Sequence, residues 1–253
     1  MTKNFRLLIE YDGRAYHGWQ RQKNARTIQE EIEKALESMC AQKITLNGSG
    51  RTDAGVHALG QTASFRCDTR LTPEIFLRGL NSILDADIVI RECAEVPEDF
   101  HARFDVKDKT YHYRILNRFL PSAIDRHFSW FIRTPLDIQA MRRAAVHLTG
   151  EHDFRAFEGT GSPRVHTVRH IFMAELENQE KGYIVFKIRA SGFLRFMVRN
   201  IVGTLVSVGT GKITPDDFRE ILLSKDRTKA GATAPPQGLF LMCVNYEKSE
   251  MLS

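Results

Sequence analysis

The stretch from Gly48 to Ala58 places the most side chains that could do chemistry within the fewest residues. Its sequence, G-S-G-R-T-D-A-G-V-H-A, combines three glycines with a guanidinium at Arg51, a carboxylate at Asp53 and an imidazole at His57. Glycines let the backbone approach a bulky ligand closely and adopt positive φ. A nearby guanidinium favours the ionised form of a carboxylate. The stretch is therefore a candidate ligand-facing loop with Asp53 ionised and aimed outward.

The composition of this loop also fits other kinds of site. An ordinary turn, in which Asp53 bonds to its own backbone, is the structural alternative, because Asp and Gly dominate turns. No Lys-Ser or Lys-Thr follows the last glycine, which excludes a Walker A loop, and the glycines do not open a helix after a strand, as a dinucleotide fingerprint requires. Ser49, Asp53 and His57 resemble a nucleophilic triad only by being close in sequence, which is no sign of triad geometry.

Two further segments carry aromatic rings beside basic side chains. Residues 11–22, Y-D-G-R-A-Y-H-G-W-Q-R-Q, interleave aromatics with arginines, a combination used on unpaired RNA; the alternative is a structured loop in which Tyr16 and Trp19 fill the core. Residues 109–116 alternate as a strand, with Tyr111 and Tyr113 on its apolar face. A tyrosine on such a strand usually serves packing.

The elements that must position these residues follow from hydrophobic periodicity and from capping residues. Strands are predicted at 5–11, 61–67, 88–93, 109–116, 182–190 and 239–246, and helices at 27–40, 72–84, 135–148, 193–208 and from residue 214. A capping box is predicted at Thr27 and Glu30. Arg195 and Arg199, four residues apart, are predicted to share one face of the helix at 193–208.

Five segments, in this order along the chain, resemble motifs of the TruA family of tRNA pseudouridine synthases. They are Y-D-G-x-x-Y-x-G-W-Q-x-Q at 11–22, G-R-T-D-A-G-V-H-A at 50–58, K-T-Y-H-Y at 109–113, E-H-D-F-R-A-F at 151–157 and G-F-L-R-F-M-V-R-N-I-V-G at 192–203. The resemblance runs from Tyr11 to Tyr246. The chain is similar to the compact bacterial type within that family.

The resemblance implies a reaction and assigns roles to five residues. The reaction is isomerisation of uridine to pseudouridine at positions 38, 39 and 40 of the tRNA anticodon stem-loop, with no cofactor. Asp53 is implied to be the catalytic carboxylate and Tyr111 to stack on the target base and act as general base. Arg199 is implied to pair with Asp53. Arg51 is expected to fill the gap left by the flipped nucleotide, and Arg195 to bind substrate.

Composition and charge limit the kinds of partner and cellular compartment that suit this chain. The 253-residue chain has a net charge of +5, which suits a polyanion such as tRNA but is also common in proteins that bind nothing acidic. Scattered histidines lack the spacing of ligand sets, so no metal is expected. Four widely spaced cysteines suit a reducing compartment, and no signal peptide or membrane span is expected. We expect a cytoplasmic protein, and the resemblance implies a homodimer.

A short internal repeat favours two similar halves. Thr72-Pro73-Glu74-x-Phe76 and Thr214-Pro215-Asp216-x-Phe218 each open a helix that precedes a strand. A duplicated, mostly antiparallel unit of this kind gives an α+β fold. The resemblance implies the pseudouridine synthase fold, two α/β halves joined around a central basic cleft. We predict an N-terminal half at 1–105 with the Asp53 loop and a C-terminal half at 106–253 with Tyr111 and the arginines.

Two rival functions remain open from the sequence. A non-catalytic RNA-binding protein could use the same basic residues, and an assay of turnover on unmodified tRNA separates it from an enzyme. A hydrolase using Asp53 and His57 is the second rival. It would release a product from its substrate instead of leaving the length of the RNA unchanged.

Overall fold

The computed structural model describes residues 2–159, 161 and 166–246. Its helices and strands, in chain order, are β1 (Thr2–Tyr11), α1 (Ile28–Cys40), β2 (Asn47–Gly48), β3 (His57–Asp68), α2 (Pro73–Ile83), β4 (Ile88–Val96), β5 (Val106–Asn117), β6 (Trp130–Ile132), α3 (Ile138–Val146), β7 (Gly150–Asp153), β8 (Val168–Asn178), β9 (Tyr183–Ala190), α4 (Met197–Gly209), α5 (Pro215–Ser224) and β10 (Leu239–Tyr246). The chain packs as two compact units, Met1–Lys107 with Phe240–Ser253, and Asp108–Leu239.

The first unit is a sheet with helices α1 and α2. Its strands lie in the order β4-β1-β3-β10, with β1 antiparallel to both neighbours and β10 parallel to β3. Strand β1 alternates as predicted, because Phe5, Leu7 and Ile9 are fully buried and the residues between them are not. Phe76 of α2 packs on Phe5 and on Phe65 of β3, with ring centroids 4.9 and 5.3 Å apart.

The second unit has the strand order β5-β9-β8-β7, all antiparallel, and β6 runs parallel to β5. Helices α3, α4 and α5 pack against one another, and α3 also covers β8. Phe218 of α5 stacks on Phe157 at 5.7 Å. The predicted α+β class with mostly antiparallel sheets is confirmed.

The two segments of the internal repeat both begin a helix in the structure. Both α2 and α5 begin at a proline in the first turn, and Phe76 and Phe218 are fully buried. Only α5 closes a capping box, between Thr214 and Asp217. The halves predicted at 1–105 and 106–253 remain a prediction about domains. The packing units differ from them in grouping the last strand with the N-terminal segment.

The capping box predicted at Thr27 is wrong. The Thr27 side chain makes no capping hydrogen bond to α1. Instead, the carbonyl oxygens of Gly18 and Trp19 accept from the first helical N–H groups, those of Ile28 and Gln29, at 3.2 and 3.0 Å. A helix start needs acceptors for its unpaired N–H groups, and here a distant loop supplies them.

Candidate active site

The Asp53 loop is held by the segment that carries the first motif. The Trp19 N–H donates to the Thr52 carbonyl at 3.1 Å, and the hydroxyls of Tyr11 and Thr52 lie 2.7 Å apart in the buried interior. Gly18 has φ +90, and a Cβ there would lie 2.5 Å from the Thr52 oxygen. Glycine is therefore required at this crossing. Thr52, the residue before Asp53, is therefore held through both its backbone carbonyl and its side-chain hydroxyl.

The loop itself turns through backbone contacts. The Val56 N–H donates to the Asp53 carbonyl at 3.2 Å, and Gly55 between them has φ +76, which favours glycine. The Gly55 N–H in turn donates to the Tyr16 carbonyl at 3.4 Å. Within this turn, Thr52 and Val56 are buried, Asp53 is partly exposed and Ala54 is exposed. The arrangement presents one carboxylate from an otherwise immobilised loop.

Tyr16 and Trp19 do not offer faces to RNA. Their exposed fractions are 3% and 2%, and the Trp19 indole lies where a side chain at position 48 would have to sit, so that Gly48 makes room for it. The Tyr16 hydroxyl donates to Asp87 at 2.5 Å. Of the two possibilities that the sequence left open for these rings, the structure supports core filling.

His57 is buried behind the loop. Its Nδ1 accepts from the Gly13 N–H at 3.3 Å and lies 3.2 Å from a carboxylate oxygen of Asp12, while its ring stacks on Phe240 at 4.8 Å. Burial opposes ionisation of Asp12, but the side-chain and backbone hydrogen bonds from Arg14 outweigh it, and the pKa of Asp12 lies below its ordinary value. These partners give His57 a structural role.

The nucleophilic arrangement finds no support at Ser49. Its side chain is buried and donates to Gln61 Oε1 at 2.6 Å, and Gln61 Nε2 donates to the Gly50 carbonyl at 3.1 Å. The Ser49 N–H donates to the Thr62 carbonyl at 2.8 Å. Ser49 and Gln61 therefore fasten the entry of the loop to β3.

In the second unit, Tyr111 lies on β5 and is 8% exposed. Its ring meets that of Phe193 edge to face, with centroids 5.0 Å apart. Tyr113, two residues further on, is fully buried and donates its hydroxyl to the Pro235 carbonyl at 2.7 Å. Burial raises the pKa of Tyr113, and the positive charge of Arg199 opposes that rise. The two tyrosines differ in burial, because Tyr113 is fully buried whereas Tyr111 is 8% exposed.

Arg195 and Arg199 do not share a helical face. Helix α4 begins at Met197, and Phe196 before it has a left-handed backbone, φ 60°. The prediction of a helix from residue 193 is wrong at this end. Both guanidinium groups lie over the Phe196 ring, Arg195 at 4.5 Å and Arg199 at 4.9 Å from its centroid. The two arginines are thus brought together by an aromatic ring.

Contacts with Gly159, which is distant in sequence, hold Phe196 in its left-handed conformation. The Gly159 N–H donates to the Arg195 carbonyl at 2.8 Å, and a Cβ at Gly159 would lie 2.5 Å from the Phe196 ring. A left-handed backbone at a bulky residue is strained and persists only where its surroundings fix it. Strain of this kind is characteristic of functional sites.

Arg199 is oriented by a loop that packs on α4. Its Nε donates to the Ala234 carbonyl at 2.8 Å, and the Ala234 N–H donates back to the Arg199 carbonyl at 3.1 Å. A Cβ at Gly203 would lie 1.7 Å from the Ala232 oxygen, so glycine lets the loop approach. Asn200 is fully buried and accepts from the Thr233 hydroxyl at 2.7 Å. The R-N-x-x-G pattern of the fifth motif is explained by this packing.

Arg51 is exposed, and its Nε donates to Gln20 Oε1 at 3.0 Å. Sequence reasoning assigned no role to Gln20, Thr52, Phe193, Phe196 or Ala234. All but Ala234 stand at fixed letters of the first, second and fifth motifs, and that is the signal by which they could have been found.

The described residues contain neither a cluster that could hold a metal ion nor a helix that could cross a membrane. Within residues 2–159, 161 and 166–246, no group of three or more His, Cys, Asp and Glu side chains is placed to hold a metal ion. In the same part of the chain, no helix is both long and apolar enough to cross a bilayer.

Comparison with known proteins identifies related sequences. A family model described as tRNA pseudouridine synthase matches residues 7–105 and 144–247, which include Asp53 and Arg199 but not Tyr111. The chain is 47% identical over 244 residues to tRNA pseudouridine synthase A of Thermoanaerobacter sp. (strain X514), and equally to that of Acetivibrio thermocellus. Both alignments cover 96% of this chain and 100% of the relative. The corresponding Geobacter sp. (strain M21) protein is 47% identical over 245 residues, 96% of this chain and 99% of the relative.

Proposed function

Since the chain belongs to the tRNA pseudouridine synthase family, we propose that it converts uridine to pseudouridine at positions 38, 39 and 40 of the tRNA anticodon stem-loop, with Asp53 as the catalytic carboxylate. The chain is an isomerase acting on tRNA. The observation that carries the proposal for Asp53 is that this carboxylate-bearing residue stays partly exposed in a turn whose ends, Thr52 and Val56, are buried.

The chemistry matches what such a loop offers. The glycosidic bond of uridine must break, the base must rotate, and a new bond must form between the ribose C1′ and C5 of the ring. A carboxylate can take up C1′ or add to the ring, which splits one difficult step into two easier ones. The proton on C5 must then leave, and N1, released from the ribose, must gain a proton. The reaction exchanges no electrons and no water, so residues of the chain suffice for each step.

The other residues take supporting roles in this proposal. Tyr111, whose ring meets that of Phe193 edge to face, supports the freed base and removes the C5 proton. Arg199 holds Asp53 ionised; that ion pair remains a prediction from the resemblance. Arg51, which is exposed, fills the gap left by the flipped nucleotide, and Arg195, also exposed, binds the substrate. Acting on a base in a folded RNA requires the base to leave the stack.

Partner and location follow the same reasoning. The net charge of +5 favours a polyanionic substrate such as tRNA. Homodimer formation and a place in the cytoplasm remain predictions, drawn from the resemblance and from the cysteine usage.

Tritium release tests the proposed target positions. A tRNA transcript labelled with tritium at uridine C5 loses label when that proton departs. We expect release from a transcript with uridines at 38, 39 and 40, and none when cytidines replace all three. Equal release from both transcripts would contradict the proposed positions. No release from any unmodified tRNA, together with tight binding, would favour the non-catalytic RNA-binding alternative.

A further inference from the structure

Beneath Arg51, polar side chains form a continuous relay into the core of the first unit. Arg51 Nε donates to Gln20 Oε1 at 3.0 Å, and Gln20 Nε2 donates to Gln29 Oε1 at 2.8 Å. Gln29 Nε2 then donates to Glu33 Oε1 at 3.1 Å. Exposure falls along this path, since Arg51 is exposed, Gln20 is half-buried, and Gln29 and Glu33 are 7% and 2% exposed.

The direction of the relay is fixed by backbone groups. The Arg21 N–H, which can only donate, points at Gln29 Oε1 at 3.0 Å, and the Leu46 carbonyl, which can only accept, receives Gln29 Nε2 at 2.9 Å. The orientation of an amide must be assigned from its hydrogen-bond partners. Only one orientation of Gln29 satisfies both groups. The Gln20 amide group must then face Gln29 with its NH₂, which leaves its oxygen for Arg51.

The buried end of the relay is anchored independently. Glu33 Oε1 also accepts from the Leu46 N–H at 2.9 Å, and Glu33 Oε2 pairs with the Arg21 guanidinium at 3.0 Å. A buried carboxylate needs such partners, because an uncompensated buried charge is costly. Glu33 Oε2 forms this ion pair without a hydrogen bond, so Oε1, which accepts from both Gln29 and Leu46, anchors the buried end of the relay.

We propose that Gln20 is a positioning residue that sets the orientation of the Arg51 guanidinium toward tRNA through this relay. A long arginine side chain on a surface ordinarily loses considerable rotamer freedom when it binds. Fixing Nε beforehand reduces that cost and leaves the planar fork aimed in one direction. The proposal rests on the proposed function, in which Arg51 fills the gap left by the flipped nucleotide.

The position of Arg51 in the reaction predicts which kinetic constant depends on Gln20. A side chain that fills the gap left by a flipped base acts after tRNA has bound. Loss of its orientation should therefore slow the single-turnover rate and leave the tRNA dissociation constant nearly unchanged. A residue that acted only in binding would instead raise the tRNA dissociation constant and leave the single-turnover rate nearly unchanged.

The test compares Gln20→Met, Arg51→Ala and the double variant by single-turnover tritium release and by tRNA binding. Gln20→Met keeps the volume of the side chain and removes the acceptor. We expect its rate to fall about tenfold, the loss typical of one hydrogen bond to a charged group, with binding within about twofold. The double variant should be no slower than Arg51→Ala, because both changes act through one side chain. Gln42→Met, which removes another half-buried glutamine bonded to a backbone carbonyl, is the matched control and should keep the full rate.

A second variant separates positioning from stability. Gln20→Glu keeps an acceptor for Arg51, but it sets a carboxylate oxygen against Gln29 Oε1, which the backbone prevents from turning. We expect Gln20→Glu to melt at a lower temperature than Gln20→Met and yet to react faster. A purely structural role would rank the two variants by melting temperature instead, and that result would overturn the proposal.

The remaining outcomes distinguish this inference from the proposed function. A slow Arg51→Ala beside a Gln20→Met of full rate would overturn the inference alone, and so would losses that multiply in the double variant. A fully active Arg51→Ala would overturn the proposed role of Arg51, and the inference with it.

Discussion

In each of the two packing units, an arginine of the candidate site is held through its Nε atom, but the acceptors differ in kind. In the first unit, Arg51 is exposed and donates to the side-chain amide of Gln20. In the second, Arg199 is half-buried and donates to the backbone carbonyl of Ala234. A side-chain acceptor can be removed by mutation without disturbing the chain. A backbone acceptor depends on the packing of a whole loop against α4.

The difference teaches how each arginine can be used. A partly buried arginine over an aromatic ring keeps one orientation, and Arg199 has both the Ala234 carbonyl and the Phe196 ring. Such a group suits a permanent partner such as a catalytic carboxylate. An exposed arginine with an adjustable acceptor suits a substrate that arrives and leaves. We therefore expect changes at Arg199 to impair chemistry more than changes at Arg51 or Arg195.

The largest effect that sharpens this comparison is expected at Arg199. Arg199→Ala should lower the single-turnover rate by about 100-fold, the loss that follows truncation of one partner of a hydrogen-bonded charge pair. Arg199→Lys keeps the charge without the planar fork and should retain part of the activity. The pH optimum of Arg199→Ala should move upward, because a carboxylate without a nearby guanidinium is harder to ionise.

Arg195→Ala is the control for that series, because both arginines lie over the same ring. We expect it to weaken tRNA binding and to leave the single-turnover rate of bound tRNA nearly unchanged. If Arg195→Ala abolished turnover while Arg199→Ala spared it, the assignment of the two arginines would be reversed.

A smaller effect is expected from the two buried tyrosine hydroxyls, one in each unit. Tyr11→Phe leaves the Thr52 hydroxyl without its partner, and Tyr113→Phe does the same to the Pro235 carbonyl. Each change should lower the free energy of unfolding by about 1–2 kcal/mol, the cost of a buried polar group left unsatisfied. Chemical denaturation of both variants at neutral pH measures this. An unchanged stability in either variant would show that the hydroxyl contributes nothing to that loop.

The same tyrosines set a pH dependence. Burial raises the pKa values of Tyr11 and Tyr113 above that of an unfolded tyrosine. Their contribution to stability is therefore fully present below about pH 10 and is lost as the pH rises above it, because only the unfolded chain ionises readily there. Tyr11→Phe should reduce the loss of stability between pH 9 and 11 that the unaltered protein shows. An identical loss in the variant would contradict the assignment.

The smallest effect concerns salt. If phosphate contacts hold the tRNA, the logarithm of the association constant should fall linearly with the logarithm of salt concentration. Arg195→Ala should make that slope shallower by about one unit, since one exposed cation is removed. A flat line for the unaltered protein would mean that its net charge is incidental to binding.

The sequence predicted the fold where local patterns determine it. Strand β10 has the predicted bounds, and α1 and α2 begin where the capping and proline signals indicate. Strand β8 was missed, because its buried positions, Ile171 and Leu176, lie five residues apart and a register shift interrupts their alternation. The start of α4 was misplaced because contacts of Gly159, far along the chain, hold Phe196 in a left-handed conformation.

The candidate site, like the fold, was predictable from the sequence only in part. Motif letters identified Asp53, Tyr111 and Arg199 as candidates through resemblance, which supplies roles but no geometry. What orients them depends on pairs distant in sequence, such as Gln20 with Arg51 and Ala234 with Arg199. No periodicity or capping rule reports such pairs. They become visible only when the chain is folded.

Replacement of Asp53 tests the central claim most directly. Tritium release from a C5-labelled tRNA and tRNA binding are measured together for Asp53→Ala, with Asp68→Ala, at the far end of β3, as a control. We predict that Asp53→Ala releases no label above background and binds tRNA within a few fold of the unaltered protein, because phosphate contacts come from other residues. Appreciable pseudouridine formation by Asp53→Ala would contradict the account.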